Sequence, residues 1–491
     1  MQASFKPLTG LLEPAAGREL TGWLFVKGLA LVYAAAFASL AVQIDGLVGP
    51  DGILPFGRVL HGVFAEQGFH ALLRLPTLFW IDSSATALQA AAFGGAAVAL
   101  LLAFGWVRSR PALIVLFLLY LSLYQAGQIF TAFQWDTLLL ESGFLAIFLA
   151  DSPTRLNVLL FDWLLFRLRF ESGFFKLASG DPSWRHFTAL NYYFETQPLP
   201  HIGSWYAQQL PVWLKQAGVG FTFFAELIVP FLIFLPRPFR LFAAAVTILA
   251  QLLIIATSNH NFINLLTIVL CLFLLDDRIV ARVVPAPLQE RIRARASART
   301  PGIAAKVLTG VAGALTIAVS VGTMLVTQMT EPLPRALVEL NRIAPALGIG
   351  ADYHLFPTMQ TERQELRIFG SYDGRTWQPY VFRYKPGLLD RAPQFIVPYQ
   401  PRLDWMMWFL PPQWPDTDFW LEPFLQALKE NRPAVTRLLE RNPFEDKAPP
   451  AQLRVLAYRY RFTTSAERAR TGNWWQAEYL GEFPDVPPRR P

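Results

Sequence analysis

Seven ionisable side chains crowd one apolar stretch of this chain. Around residues 130–200 the sequence reads IFTAFQWDTLLLESGFLAIFLADSPTRLNVLLFDWLLFRLRFESGFFKLASGDPSWRHFTALNYYFETQPLP, and its hydrophobic runs carry Asp136, Glu141, Asp162, Arg167, Arg169, Glu171 and Lys176. A charged side chain at the centre of a bilayer costs about 2.5–3.5 kcal/mol or more, so such residues face a bundle interior or a wet cavity. On a helix over 157–178, Asp162, Arg169 and Lys176 are seven residues apart and share a face. Arg167 and Glu171 form an i,i+4 pair on nearly the opposite face. Charges on both sides leave no broad lipid-facing surface, which predicts a charged central helix. Lys176 lies towards the outer end of this helix, where a partly desolvated amine could act as a base. With Asp136 and Glu171 it makes a candidate catalytic set. Two competing readings stand beside that one: a structural ion-pair network, and for Lys176 simple snorkelling of a long side chain to the interface.

Other polar groups gather at the same depth. Gln134, Trp135 and Asp136 open one apolar run, and Asn259, His260 and Asn261 open another. The loop between them supplies Trp184, Asn191, Tyr192 and Glu195. Trp184, Asn191, Tyr192, Glu195, Asn259 and Asn261 are candidate binding residues, although side chains at helix entrances often only cap the helix. Metal and redox chemistry lack their usual patterns. The six histidines are scattered without ligand spacing, so no metal site or cofactor is expected, and the single cysteine, Cys271, excludes an intramolecular disulfide or C-x-x-C chemistry. G-x-S-x-G, P-loop and G-x-G-x-x-G motifs are absent, which gives no support to a hydrolase, NTPase or dinucleotide enzyme.

The elements that must position these residues are membrane helices. The 491 residues are 53% hydrophobic and only 16% charged, with mean hydropathy +0.32, too apolar for an ordinary soluble protein. The first apolar run lacks a small-residue cleavage pattern and reads as a span, not as a removed signal peptide. Apolar runs near 22–44, 86–106, 112–130, 137–150, 157–178, 219–236, 239–257, 260–276 and 304–327 predict about nine spans. Arg108 and Arg110, Arg155, Arg237 and Arg240, and the basic stretch 277–303 with Arg278, Arg282, Arg291, Arg293, Arg295 and Arg299 fall on one side. The positive-inside rule makes that side cytoplasmic, with the N-terminus inside. The loops 45–85 and 179–215 and everything after 328 then lie outside. The net charge of +7 thus reports orientation, and no basic patch interleaved with aromatics suggests a nucleic-acid partner.

Two domains follow: a polytopic helical domain over 1–327 and an extracytoplasmic β-rich, sandwich-like domain over 328–491. In ELRIFGSYDGRTWQPYVFRYK two extended runs flank Ser371-Tyr372-Asp373-Gly374, a hairpin signal. In LRVLAYRYRF, Tyr458, Tyr460 and Phe462 alternate with Ala457, Arg459 and Arg461 as on a half-buried strand. Between them Leu421, Phe424, Leu425 and Leu428 mark one face of a helical insert, and Pro433 starts a second short helix.

QWDTLLLESGFLAIFLA, FRLRFESGFFKLASGDPSWRHFTALNYYFETQPLP, ELIVPFLIFLPR and NHNFINLLTIVLCLFLLDD, followed by GSYDGRTWQPYVFRYKPG, PYQPRLDWMMWF, LLERNPF, YRYRFT and GNWW, strongly resemble the lipase maturation factor family over roughly 120–480. The resemblance implies a multi-pass membrane protein that helps secreted lipases reach their folded, active state, with the C-terminal domain handling the client. SGFFKL-x-x-GDPSW is also similar to the A-G-x-x-K-L…W pattern of the vitamin K-dependent γ-carboxylase-like membrane domain, which implies a question about Lys176 as a base. The chain departs from animal lipase maturation factors in having no N-x-S/T sequon and one cysteine. With its arginine-rich short loops, that favours a bacterial homologue in the plasma or inner membrane over an endoplasmic-reticulum protein.

Two functions remain open at this level. One is a non-enzymatic maturation factor, with membrane lipid around the bundle and a secreted client held by the aromatic-rich stretch. That stretch includes Arg402, Asp404, Trp405 and Trp408, with Met406, Met407, Phe409, Trp414, Trp420, Trp474 and Trp475 as further apolar surface, unless these are simply core. The other is a membrane-embedded enzyme using Lys176 with Asp136, Glu171 or Glu195.

Overall fold

The computed structural model describes residues 10–149, 153–297, 302–328, 344–413 and 418–484. Its helical part is built on α1 (Glu19–Ala41), α2 (Ala85–Phe104), α3 (Ser109–Gly127), α4 (Gln134–Ile147), α5 (Arg155–Ala178), α6 (Val212–Phe223), α7 (Arg237–Thr257), α8 (Ile263–Leu270) and α9 (Ile303–Gln328). Every run expected to span the membrane is helical. Among the described residues six of these segments are long and apolar enough to cross a bilayer: Glu19–Ala41, Ala85–Phe104, Ser109–Phe130, Val212–Phe234, Arg237–Thr257 and Ile303–Leu325. The chain is an integral membrane protein. The expected nine spans thus include three helices of another kind. α4 has 14 residues, about 21 Å at 1.5 Å per residue, against a hydrocarbon core of about 30 Å. α8 and the 3₁₀ turn that follows it cover only Ile263–Leu274. α5, at 24 residues, is long enough but too charged.

α5 is the central element that its charges predict. A reciprocal cap starts it: Thr154 Oγ1 accepts from the Asn157 backbone N–H, and the Asn157 side chain accepts from the Thr154 N–H. Its buried residues lie all around the helix and include Asp162, Arg167, Arg169, Glu171 and Lys176. α6 approaches it through an irregular continuation, a π-helical turn at Phe224–Ile228 and then a 3₁₀ stretch at Val229–Phe234. Pro230 explains the break. Its ring nitrogen has no proton for the Glu226 carbonyl and its ring crowds that oxygen, so regular α-helix cannot continue. Gly173 of α5 permits the contact, because a Cβ there would stand 2.8 Å from Glu226 Cβ.

The C-terminal region contains one antiparallel sheet with strand order β2-β1-β3-β4, formed by β1 (Arg363–Ser371), β2 (Gln378–Pro379), β3 (Gln452–Phe462) and β4 (Trp475–Glu482). A second sheet does not face it among the described residues, so the sandwich expectation is corrected. The helical insert covers the sheet instead, through α10 (Leu421–Lys429), whose Leu421, Phe424, Ala427 and Leu428 are buried. The expected hairpin turn is present: Asp373 Oδ1 accepts from the backbone N–H groups of Thr376 and Arg375, and these bonds hold its carboxyl down at about 2. In β3 the buried set changes phase, from Val455 and Ala457 to Tyr460 and Phe462. β3 pairs with β1 without a break, so its faces alternate regularly; its two ends bury opposite faces, Val455 and Ala457 in the main core and Tyr460 and Phe462 in a second cluster.

A single hydrophobic core runs through both halves. It joins bundle residues such as Phe25, Phe161 and Phe273 to Leu366, Ile368, Trp405, Trp420, Phe424 and Val455. A smaller cluster links Trp205, between the membrane helices, to Tyr460, Phe462, Trp474 and Trp475 of the sheet region.

Candidate functional site

Glu141 of α4 and Arg167, Glu171 and Lys176 of α5 converge on one extended stretch of backbone, residues 348–359. Midway along α5, Arg167 pairs with Glu141, both fully buried, and its Nη1 donates to Ala351 O at 3.1 Å. Glu141 Oε2 accepts from the Gly350 N–H and the Tyr353 hydroxyl, each at 3.1 Å. Gly350 has φ +70, and a Cβ there would lie 2.3 Å from a Val319 methyl of α9, so only glycine brings its N–H to that carboxylate. One helical turn towards the C-terminus of α5, Glu171 Oε2 accepts from the Tyr353 N–H at 2.8 Å. A further turn along α5, Lys176 Nζ donates to Glu226 Oε2 at 2.9 Å, Leu355 O at 2.8 Å and Ser172 O at 3.2 Å. Arg169 Nη2 reaches the other Glu226 oxygen at 3.5 Å. Beyond the helix, Ser179 Oγ donates to Pro357 O, Trp184 Nε1 donates to Phe356 O, and Asp181 Oδ2 accepts from the Met359 N–H. The face of α5 that looks catalytic in the sequence is thus a ladder of donors and acceptors for a strand-like segment of the same chain. Asp162 stands apart from the ladder, buried, with Oδ1 unpartnered among the described residues.

A second junction centres on Asp136. Arg402 binds it through two parallel bonds, Nη2 to Oδ1 at 2.7 Å and Nη1 to Oδ2 at 2.8 Å, and both side chains are fully buried. Tyr120 of α3 donates to the same carboxylate at 2.6 Å, and Arg402 Nη1 also donates to Phe130 O at 2.7 Å. Ser39 of α1 and Gln43 just beyond its end grip the neighbouring backbone at Gln400 and Arg402. Asp136 and Lys176 therefore belong to separate clusters, each closed by partners from other elements.

Comparison with known proteins places this arrangement. The lipase maturation factor transmembrane domain matches residues 20–282, and the lipase maturation factor C-terminal domain matches 349–485. Lipase maturation factor 2 of Gallus gallus is 33% identical, covering 94% of this chain and 80% of its own length. The Homo sapiens protein of that name is 33% identical, covering 95% and 82%. Lipase maturation factor 1 of Bos taurus is 32% identical, covering 96% and 90%. This chain belongs to the lipase maturation factor family. No solved structure matches it.

In this lipase maturation factor family member, most of the candidate binding residues bind the other half of the chain. Asn259 donates to Gln394 O and accepts from the Ile396 N–H, and Asn261 donates to Gln400 Oε1. Glu195 Oε2 accepts from the Phe462 N–H at 2.6 Å, and burial raises its carboxyl. Trp408 Nε1 donates to Thr196 O at 2.7 Å. Asp404 stays within the C-terminal region, accepting from the Tyr384 and Lys385 N–H groups, and burial again raises its carboxyl against those two bonds. Asn191 and Tyr192 offer their backbone carbonyls to the side chains of Gln208 and Thr196. Trp405, Met406, Met407, Trp420, Trp474 and Trp475 are buried and Trp408 and Phe409 half-buried, so this aromatic stretch is core and seam, not an exposed client surface. Trp414 and Arg299 lie outside the described residues.

Three important residues escaped the sequence reading. Glu226 is a lone acid in an apolar run, the same anomaly that marks Asp136, and could have been found by it. Arg363 donates to the carbonyls of Glu195, Gln197 and Pro198 and pairs with Glu365, which pairs in turn with Lys385 at 2.7 Å. Nothing in ERQELRIF distinguishes Arg363 from the other strand arginines. Tyr353 is fully buried at the centre of the ladder, in a stretch without regular secondary structure.

Proposed function

We propose that this chain is a maturation factor that assists folding or assembly of secreted client proteins, lipases among them, and that its buried charges are structural. Family membership over 94–96% of the chain carries the first half of that reading. The occupied ammonium of Lys176 supports the second. Its three contacts to Glu226, Leu355 and Ser172 favour a packing role over a membrane-embedded enzyme with a free base at this position. Loss of the gene is expected to lower the amount or activity of a subset of secreted proteins while leaving their transcripts unchanged. Comparison of the secreted proteins of deletion and complemented cells checks this, and identical profiles would end the maturation-factor reading.

The proposed topology keeps the N-terminus and the 277–303 stretch in the cytoplasm, with a C-terminal domain from about 328 outside, in the plasma or inner membrane if the source is bacterial and in the endoplasmic reticulum if it is eukaryotic. The arginines at 108, 110, 155, 237 and 240 support it. Cys271, the native thiol, is fully buried, so introduced cysteines can be read against a silent background. In intact bacterial cells a membrane-impermeant maleimide is expected to label Arg375→Cys and to label Arg108→Cys only after permeabilisation. The reverse pattern would invert the topology.

A further inference from the structure

We propose that the groove between residues 202–208 and α11 (Ser465–Thr471) binds the phosphate of an anionic phospholipid headgroup through Arg468. The groove, about 350 Å³, is lined by Trp205, Tyr206, Ser465, Arg468, Ala469 and Gly472. The Arg468 guanidinium lies 3.6 Å from the Trp474 ring centroid and 5.3 Å from that of Trp205. Stacking fixes the plane and leaves the N–H edges for an acceptor, the geometry with which arginine takes a phosphate. Among the described residues no acceptor holds this guanidinium; its Nε is buried, so the Nη groups are the ones a phosphate can reach. The neighbouring cation is already used, since Arg461 pairs with Glu467 at 2.7 Å.

The position selects a lipid. The short helix Ile202–Gln208 is fastened to the end of the apolar helix α7 through Ser204 Oγ to Thr257 O at 2.8 Å and His201 Nε2 to Ile255 O at 3.1 Å. Four residues after Gln208 the apolar segment Val212–Phe234 begins. The groove therefore sits where two membrane helices meet the interface. Tyr206 on its wall and Trp213 beyond it are 58% and 67% exposed, as aromatic residues at headgroup depth are. An acyl chain anchored in the bilayer would present its phosphate at this height, with the Ser465 hydroxyl as a further donor.

The test is native mass spectrometry of the full-length protein released from micelles doped with phosphatidylglycerol. The wild type is expected to retain one phosphatidylglycerol per chain, and R468Q to retain it at least tenfold less, the effect of losing one charge-assisted hydrogen bond. R470Q, an exposed neighbour, should match the wild type. Tyr206→Ala, outside the core, should also lower retention, so the test survives if R468Q misfolds. Equal retention by wild type and both groove variants overturns the proposal. So does equal retention of phosphatidylcholine, or displacement of the lipid by millimolar glycerol phosphate, which would make this a site for a soluble phosphate.

Discussion

Replacing Arg402 with methionine is expected to cost about 3–5 kcal/mol of stability, the penalty for leaving a buried charge without its partner. The carboxylate of Asp136 has no route to water, being fully buried, and the Tyr120 hydroxyl would remain its main donor. The Phe130 carbonyl would lose its bond as well. Asp136→Asn should be comparably severe, because it leaves a guanidinium in the same place. The double variant D136N/R402M removes both charges and should recover a large part of the loss, since a neutral, filled site is often as stable as a buried ion pair. Thermal unfolding of the four proteins in detergent, followed by intrinsic tryptophan fluorescence, measures the coupling. Purely additive effects would mean that the pair does not hold the seam. The location makes the consequence general: the bond joins α4 to the segment that opens the helical insert, and one apolar core continues across it. The C-terminal region is thus expected to lose its compact state together with the bundle instead of surviving as a separate unit.

The sequence exposed the charged helix and the apolar helical runs, because hydropathy and helical period are local properties, but not the helices Phe56–Gln67 and Ala286–Ser297 inside segments it read as loops. It also picked out Asp136, Lys176, Asn259, Asn261 and Arg402 as unusual, and each makes a side-chain bond between distant parts of the chain. What it could not show is the identity of the partner. Glu171 accepts from the N–H of Tyr353 and Lys176 donates to the carbonyl of Leu355, backbone groups that any residue carries. A polar group waiting for a substrate and one waiting for a peptide bond 180 residues away leave the same trace in a sequence. The sheet was legible in part for a related reason. Alternation identified β3, but its two ends bury opposite faces against different clusters, and the expected second sheet is replaced by helices whose apolar faces do the same covering.

The Lys176 cluster allows the structural and catalytic readings to be separated by the order of two effects. Two cations, Lys176 and Arg169, share the single carboxylate of Glu226, all three nearly buried. Glu226→Gln leaves both cations facing a neutral amide and each other, so it is expected to be the most damaging change at this position, of order 3–5 kcal/mol. Lys176→Met keeps the stem volume, leaves Arg169 and Glu226 to pair, and takes the donor from the Leu355 carbonyl. That costs about 1–3 kcal/mol for one unsatisfied buried group. Stability should therefore fall in the order wild type, K176M, E226Q, and client activity per folded molecule should be unchanged in K176M. A catalytic base predicts the opposite pattern: K176M folds normally and is inactive. Melting temperatures together with client activity normalised to folded protein decide between them. The geometry favours the first outcome because Gly173 and the π turn at Phe224–Ile228 bring the carboxylate directly onto the ammonium, leaving its proton already shared.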